Sequence, residues 1–213
     1  MVKKSTSFMA IGSLMLIASL GLMVYNICDN QRAGFESGYI AEQLESELAE
    51  NTFEQKTQKD RVHFVPEAPT EEIPDYILNP EMNMPTTQID GADYIGILDM
   101  PTLGLKLPVM SDWDYPSLKI APCRYSGSAY KGNFVIAAHN YTYHFGTIKN
   151  LGIGDRITFT DSDGNVFQYQ VAAIETLDPY DVEDMVAGEW SLTLFTCTIG
   201  GQSRVTVRCE SCD

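Results

Sequence analysis

The sequence predicts a mostly β domain, a closed or nearly closed barrel of seven to eight short strands with short helices, carried behind a transmembrane helix and a partly helical stalk. Three observations predict it. Residues 8–28 form a run of 21 without a charge. A proline-punctuated acidic stretch follows. From residue 93 onward, short apolar or alternating runs are separated by Gly and Asp turns, the pattern of an all-β domain. With 44% hydrophobic and 20% charged residues the chain has the composition of a folded protein, not a disordered or collagen-like one. Its 14 basic against 29 acidic residues, net −15, exclude nucleic acid as the main partner, because phosphate binding needs clustered Lys and Arg.

At about 1.5 Å rise per residue the uncharged run covers the roughly 30 Å hydrocarbon core of a bilayer. Lys3 and Lys4 precede it and Asp29 follows. The positive-inside rule places residues 1–7 in the cytoplasm, the anchor at 8–28, and everything after it outside. The run is long for the apolar part of a signal peptide, and no A-x-A site ends it. Cys28 follows Tyr25-Asn26-Ile27, which lacks the small residue of a lipidation site.

Residues 29–92 hold 14 acidic and 4 basic residues. Ile40, Leu44 and Leu48 fall four apart, which predicts one weakly amphipathic helix. Pro66, Pro69, Pro74, Pro80 and Pro85 then break regular structure. This segment reads as a solvated spacer that holds the head off the membrane. The alternative is a regulatory segment that folds back over the head. His63 has no ligand-spaced partner.

Residues 93–213 form the head. Predicted strands cover residues 94–98, 105–109, 133–138, 191–196 and 204–208. Residues 156–160 and 166–171 pair as a hairpin around Asp161-Ser162-Asp163-Gly164-Asn165. That turn has part of a calcium-loop pattern but not its full ligand series. Cys209-Glu210-Ser211-Cys212 is a lone C-x-x-C, better read as a terminal disulfide or two free thiols than as half a zinc site. Cys123 reads as a loop thiol or as a disulfide partner of Cys209 or Cys212.

Three side chains carry chemistry. Cys197 ends the apolar strand Leu192-Thr193-Leu194-Phe195-Thr196, with small neighbours that leave room for a peptide. His139 ends the strand after Ala137 and Ala138, with His144 as a rival five residues on. Arg204 begins the last strand, seven residues after Cys197, with Arg208 on the same strand face about 13 Å further along. Each has a plain structural reading: a buried core thiol, a rim histidine, an edge-strand charge. Together they form the toolkit of acyl transfer through a thioester. A thiol, ordinarily of pKa about 8.5, needs activation; an imidazole moves the proton; a guanidinium stabilises developing negative charge.

Thr193-Leu194-Phe195-Thr196-Cys197 resembles the TLxTC motif of sortases, the bacterial cysteine transpeptidases. Gly132-Asn133 followed by Ile136-Ala137-Ala138-His139 resembles their GN-x-x-I-A-G-H segment. Arg204-Val205-Thr206-Val207 resembles their R-x-x-V strand. The order His, Cys, Arg also agrees, and the resemblance runs from residue 93 to about 210. Ala138 stands where a Gly usually does, and Thr198-Ile199 where a Pro follows the Cys. The short span at 178–190 is unlike the helical insertion of class B and fits a class D-like or housekeeping-like member.

The resemblance implies cleavage of an LPxTG-like sorting signal by Cys197, with His139 and Arg204 as partners and Thr196 and Ala138 beside the substrate. It implies transfer to an amine from a lipid-linked cell-wall precursor or a pilin Lys. The implied partners are sorting-signal-bearing secreted proteins at the cell membrane. It implies no cofactor, although some housekeeping members bind calcium. Loops at 112–130 and 178–190 are the expected specificity determinants. The competing readings are a membrane-tethered thiol hydrolase and a non-catalytic peptide-binding barrel.

Overall fold

The computed structural model describes residues 2–62, 73–187, 189–198 and 200–212, with the side chains of its first helix described from residue 8 to 50. His63, Pro66 and Pro69 lie outside the described residues. Helix α1 spans Val2–Val62 without a break. Its apolar part is long enough to cross a membrane, and none of that window is buried within the protein. Phe8, Leu14, Leu16, Ile17, Leu20 and Leu22 all point outward, the arrangement expected of a lipid-facing surface.

Nine strands follow: β1 (Thr87–Ile89), β2 (Ala92–Met100), β3 (Leu105–Met110), β4 (Cys123–Ser126), β5 (Phe134–Ala137), β6 (Arg156–Asp161), β7 (Val166–Leu177), β8 (Leu192–Cys197) and β9 (Arg204–Ser211). Their order is β1-β2-β3-β4-β5-β8-β9-β7-β6, and β6 pairs back onto β2. Eight strands therefore close a barrel, with β1 added outside on β2. The sheet is mixed: β3 with β4 and β5 with β8 are parallel, the rest antiparallel. Closure removes the free edges that an open sheet would present.

Closure needs β2 to pair on both sides, and Gly96 makes that possible. It sits at φ +149 in the β2 bulge, and a Cβ there would lie 2.1 Å from the Thr160 carbonyl oxygen. The predicted hairpin is present, with Arg156 opposite Gln170 and Thr160 opposite Val166. Its turn is knotted by Asp161. Oδ1 accepts from the backbone N–H groups of Asp163 and Asn165, and Oδ2 from Tyr130 Oη and Asn165 Nδ2. All four donors are protein groups, so the Asp161 carboxylate is engaged in holding the turn and Tyr130. Among the described residues no cluster of His, Cys, Asp and Glu is arranged to hold a metal ion. Strand β4 was not among the predicted strands, because Cys123-Arg124-Tyr125-Ser126 has neither alternation nor a long apolar run.

Inward-facing residues fill the barrel, among them Ile95, Leu98, Phe134, Ile136, Phe159, Leu192, Leu194, Val207 and Cys209. Burial pushes the Cys209 thiol up to about 12. Cys212, three residues on, is exposed and both are free thiols, so the C-x-x-C forms no disulfide.

Within residues 29–92, expected as a solvated spacer, the stretch from Ala33 to Leu48 packs on the barrel. Ile40 and Leu44 of α1 are buried in a second cluster with Ile89, Tyr94, Ile97, Met110, Ala121 and Cys123, and Leu48 packs against its margin. Ala33, Ser37 and Ala41 are buried as well. The i, i+4 spacing that predicted a helix faces protein, not water, and the helix lies along the outside of the barrel. Lys106 and Glu45 pair beside it at 2.5 Å.

Leu44 is fully buried, so Leu44→Ala is expected to lower the unfolding free energy by about 2–4 kcal/mol. Chemical denaturation of the full chain followed by circular dichroism checks this. A helix detached from the barrel predicts no change.

Candidate active site

Alternation along β8 and β9 sorts their side chains between the two faces of the barrel wall. Leu192, Leu194, Val207 and Cys209 point into the core. Thr193, Phe195 and Cys197 share the outer face. On β9 their register partners are Arg208, Thr206 and Arg204. Cys197 lies directly opposite Arg204, and residues so paired in antiparallel strands project to the same side about 5 Å apart at Cβ. The short turn between the strands is closed by Thr198 N–H donating to the Ser203 carbonyl at 2.9 Å.

His139 reaches the same rim from the other side. Strand β5 runs parallel to β8, with Ala137 beside Phe195. The ladder continues with Ala138 N–H donating to the Phe195 carbonyl at 3.2 Å. One residue further, this register sets His139 alongside Cys197 on the next strand. Thr196 Oγ1 donates to the Ala138 carbonyl at 2.8 Å. Thr196 and Ala138 are both buried. These two residues, expected beside the substrate, clasp β5 to β8 from the inner side, and their side chains do not line the rim.

The structure separates each candidate from its rival. His139 is half-buried at the rim, whereas His144 is fully buried. Ser37 Oγ gives its one proton to the Ile120 carbonyl at 2.8 Å. The hydroxyl oxygen, 2.8 Å from His144 Nε2, must then accept, which makes Nε2 the protonated nitrogen. Burial, then the neighbouring His139, push the His144 imidazole down to about 4. Burial and the Lys119 ammonium also lower His139, while Asp29 pulls it the other way. His144 is thus a neutral structural residue.

Arg208 is nearly inaccessible and fully engaged. Its guanidinium donates to Glu175 Oε1 at 2.7 Å, Thr193 Oγ1 at 3.1 Å, the Met185 carbonyl at 3.2 Å and the Asp184 carbonyl at 2.7 Å. It ties the 178–190 segment, with its short helix α2 (Val182–Met185), to the outer face. Among the described residues, Arg204 donates to the turn carbonyls of Gly201 and Ser203, both at 3.3 Å. It is the arginine left available beside Cys197.

An apolar cluster lies under this face of the barrel wall, built partly from residues that the motifs did not include. Val135, Ala137, Met185 and Phe195 form an apolar floor, with Leu118, Tyr125 and Leu177 packed on it. From Phe195 an aromatic wall climbs through Tyr125 (5.1 Å between centroids) and Trp113 (5.2 Å) to Tyr115 (6.0 Å). Trp113 and Tyr115 are solvent-exposed. The aromatic density of residues 113–125 was the available signal, and both expected specificity loops border this floor. Cys123, by contrast, is buried, and burial followed by Asp114 and Asp112 pushes its thiol up to about 12.

The eight-stranded mixed barrel brings a cysteine, a histidine and an arginine to neighbouring strand ends, the groups that acyl transfer through a thioester requires. The sortase domain model matches residues 98–212, more than half of the chain, and the chain therefore belongs to the sortase family of cysteine transpeptidases. Solved structures agree on the fold. A sortase D5 transpeptidase of Clostridium perfringens aligns with a TM-score of 0.51 at 25% identity, over 57% of this chain and 80% of that one. Sortase A of Listeria monocytogenes aligns at 0.50 and 23%, over 56% and 88%. Sortase C1 of Streptococcus agalactiae aligns at 0.50 and 23%, over 59% and 71%. Neighbours of types A, C and D score alike, so the barrel alone does not separate the subclasses. No curated protein sequence matches significantly.

The depressed His144 has a pH signature. A group whose folded pKa lies below its unfolded value of about 6.5 contributes stability present above that value and lost as pH falls towards the folded one. His144→Gln is expected to flatten the loss of stability between pH 6.5 and about 4, by about 1–3 kcal/mol at the acid end. Thermal melts of both proteins across this range test it; parallel curves refute the assignment.

Proposed function

We propose that this sortase cleaves an LPxTG-like sorting signal and joins the released carbonyl to an amine. Cys197 gives its thiol proton to His139, and Sγ attacks the scissile carbonyl carbon, forming the C–S bond. As the C–N bond breaks, His139 delivers a proton to the departing amine. Arg204 stabilises the thiolate or the oxyanion of the tetrahedral intermediate. An incoming amine then attacks the thioester, gives a proton back to His139, and expels the thiolate. Thr196 and Ala138 serve the reaction by holding β5 against β8.

The observation that supports this reading most is the strand register, which sets Cys197 opposite Arg204 and continues β5 towards His139 beside it. The apolar floor and aromatic wall suit the Leu-Pro portion of such a signal, and the half-buried site limits competing hydrolysis by water. The acceptor is a lipid-linked cell-wall precursor or the Lys of a pilin subunit.

Residues 8–28 act as a single membrane anchor with residues 1–7 in the cytoplasm and the barrel outside. Residue 29, the first beyond the apolar run, already touches the loop after His139, so the catalytic rim sits close to the bilayer surface. Both the tail-anchored protein substrate and a lipid-linked amine arrive in that plane, where tethering raises their effective concentration.

Cys197→Ala, His139→Ala and Arg204→Ala are each expected to reduce transfer by roughly 10³-fold or more. Mass spectrometry of the purified chain with an LPxTG peptide should show a thioester on Cys197, and a new amide when an amine is added. Activity retained in Cys197→Ala refutes the mechanism, and a free acid formed in place of the amide identifies a hydrolase.

A further inference from the structure

Four consecutive residues of the loop after His139 are each held by one face of α1. Tyr141 Oη donates to Asp29 Oδ2 at 2.5 Å. Thr142 N–H donates to Asn30 Oδ1 at 2.7 Å. The Tyr143 ring lies so close to Gly34 that a Cβ there would come within 2.6 Å of it. His144 Nε2 meets Ser37 Oγ at 2.8 Å. Positions 29, 30, 34 and 37 recur at helical spacing, so one continuous stripe grips the loop. The loop in turn closes on the catalytic residue. Phe145 N–H donates to the His139 carbonyl at 3.1 Å, and His144 and Gly146 N–H groups donate to the Tyr141 carbonyl at 3.0 and 2.9 Å.

One ring links this grip to the imidazole. The Tyr141 and His139 centroids are 5.0 Å apart with their planes 40° apart. The other end of the Tyr141 side chain is pinned by Asp29. Arg32 braces that carboxylate at 3.0 Å and pairs with Glu36 at 2.7 Å. The Tyr141 hydroxyl, with Arg32 behind it, holds the Asp29 carboxyl below the usual range.

We propose that Asp29, at the exit of the membrane anchor, is a positioning residue for the His139 imidazole, acting through Tyr141. The role rests on His139 being the proton-transfer group. Beyond the loop's own Tyr141 and His144, the charged and titratable groups around His139 are Asp29 and Arg32 on α1 and Lys119 on the turn before β4. Cys197 on β8 and Arg204 on β9 lie on the strands next to β5. Asp29 favours the imidazolium and Lys119 opposes it. Removing the Asp29 charge therefore shifts the loss of imidazolium to lower pH, and removing the Lys119 charge shifts it to higher pH.

The test uses the full chain in lipid nanodiscs with an LPxTG peptide and an amine acceptor. Asp29→Asn and Tyr141→Phe are each expected to lower kcat roughly tenfold with KM within about twofold. The double variant should be no worse than either single one, and Asp29→Glu should restore most activity. The alkaline limb of kcat/KM should move to lower pH in Asp29→Asn and to higher pH in Lys119→Gln. Additive losses in the double variant overturn the proposal. So does an Asp29→Asn enzyme that melts earlier but keeps the wild-type kcat and pH limb. Cys197→Ala separates the two readings: if it still transfers, the proposed reaction fails; if it is inactive while Asp29→Asn matches wild type, only the positioning role fails.

Discussion

His139 and Cys197 stand 58 residues apart in the chain and meet because β5 and β8 run side by side in parallel. Parallel neighbours cannot be joined by a tight turn. Here the β6–β7 hairpin fills the gap, and it closes the barrel against β2 and β9 on the way round. The placement of this proposed catalytic pair therefore depends on barrel closure. A one-residue slip of β5 against β8 would turn His139 towards the core. The buried Thr196–Ala138 hydrogen bond stands where such a slip would begin, and leaving its acceptor unpaired in the interior would cost about 1–3 kcal/mol.

Residue types that could do the same chemistry are sorted by burial. Cys209 and Cys123 are inside, where the thiolate is disfavoured; Cys197 is at the rim. His144 is sealed against α1 and stays neutral. Arg208 spends its donors on the 178–190 segment and on Glu175, which shapes the groove. Arg204, four residues earlier on the same face, is left with weaker turn contacts. Alternation puts both arginines outside, and the packing of α2 over one of them decides their different roles.

The anchor is more than a tether. An unbroken helix carries the register of the lipid-facing segment directly into the stripe that packs on the barrel. The same helix that carries the apolar run thus holds the loop after His139 without a flexible linker between them.

Much was legible in the chain itself. The uncharged run, the hairpin with its Asp-Gly turn, the apolar strands ending in His139 and Cys197, and the strand beginning at Arg204 are all local patterns. Period-2 alternation and charge spacing are set by neighbouring residues, so sequence alone determined them. Strand β4, the aromatic wall from Phe195 to Tyr115, the inward burial of Thr196 and Ala138, and the grip of α1 on residues 141–144 were decided only in the folded protein. Each joins segments distant in the chain, and a side chain's partner across such a distance depends on strand register and barrel closure, which no local pattern encodes.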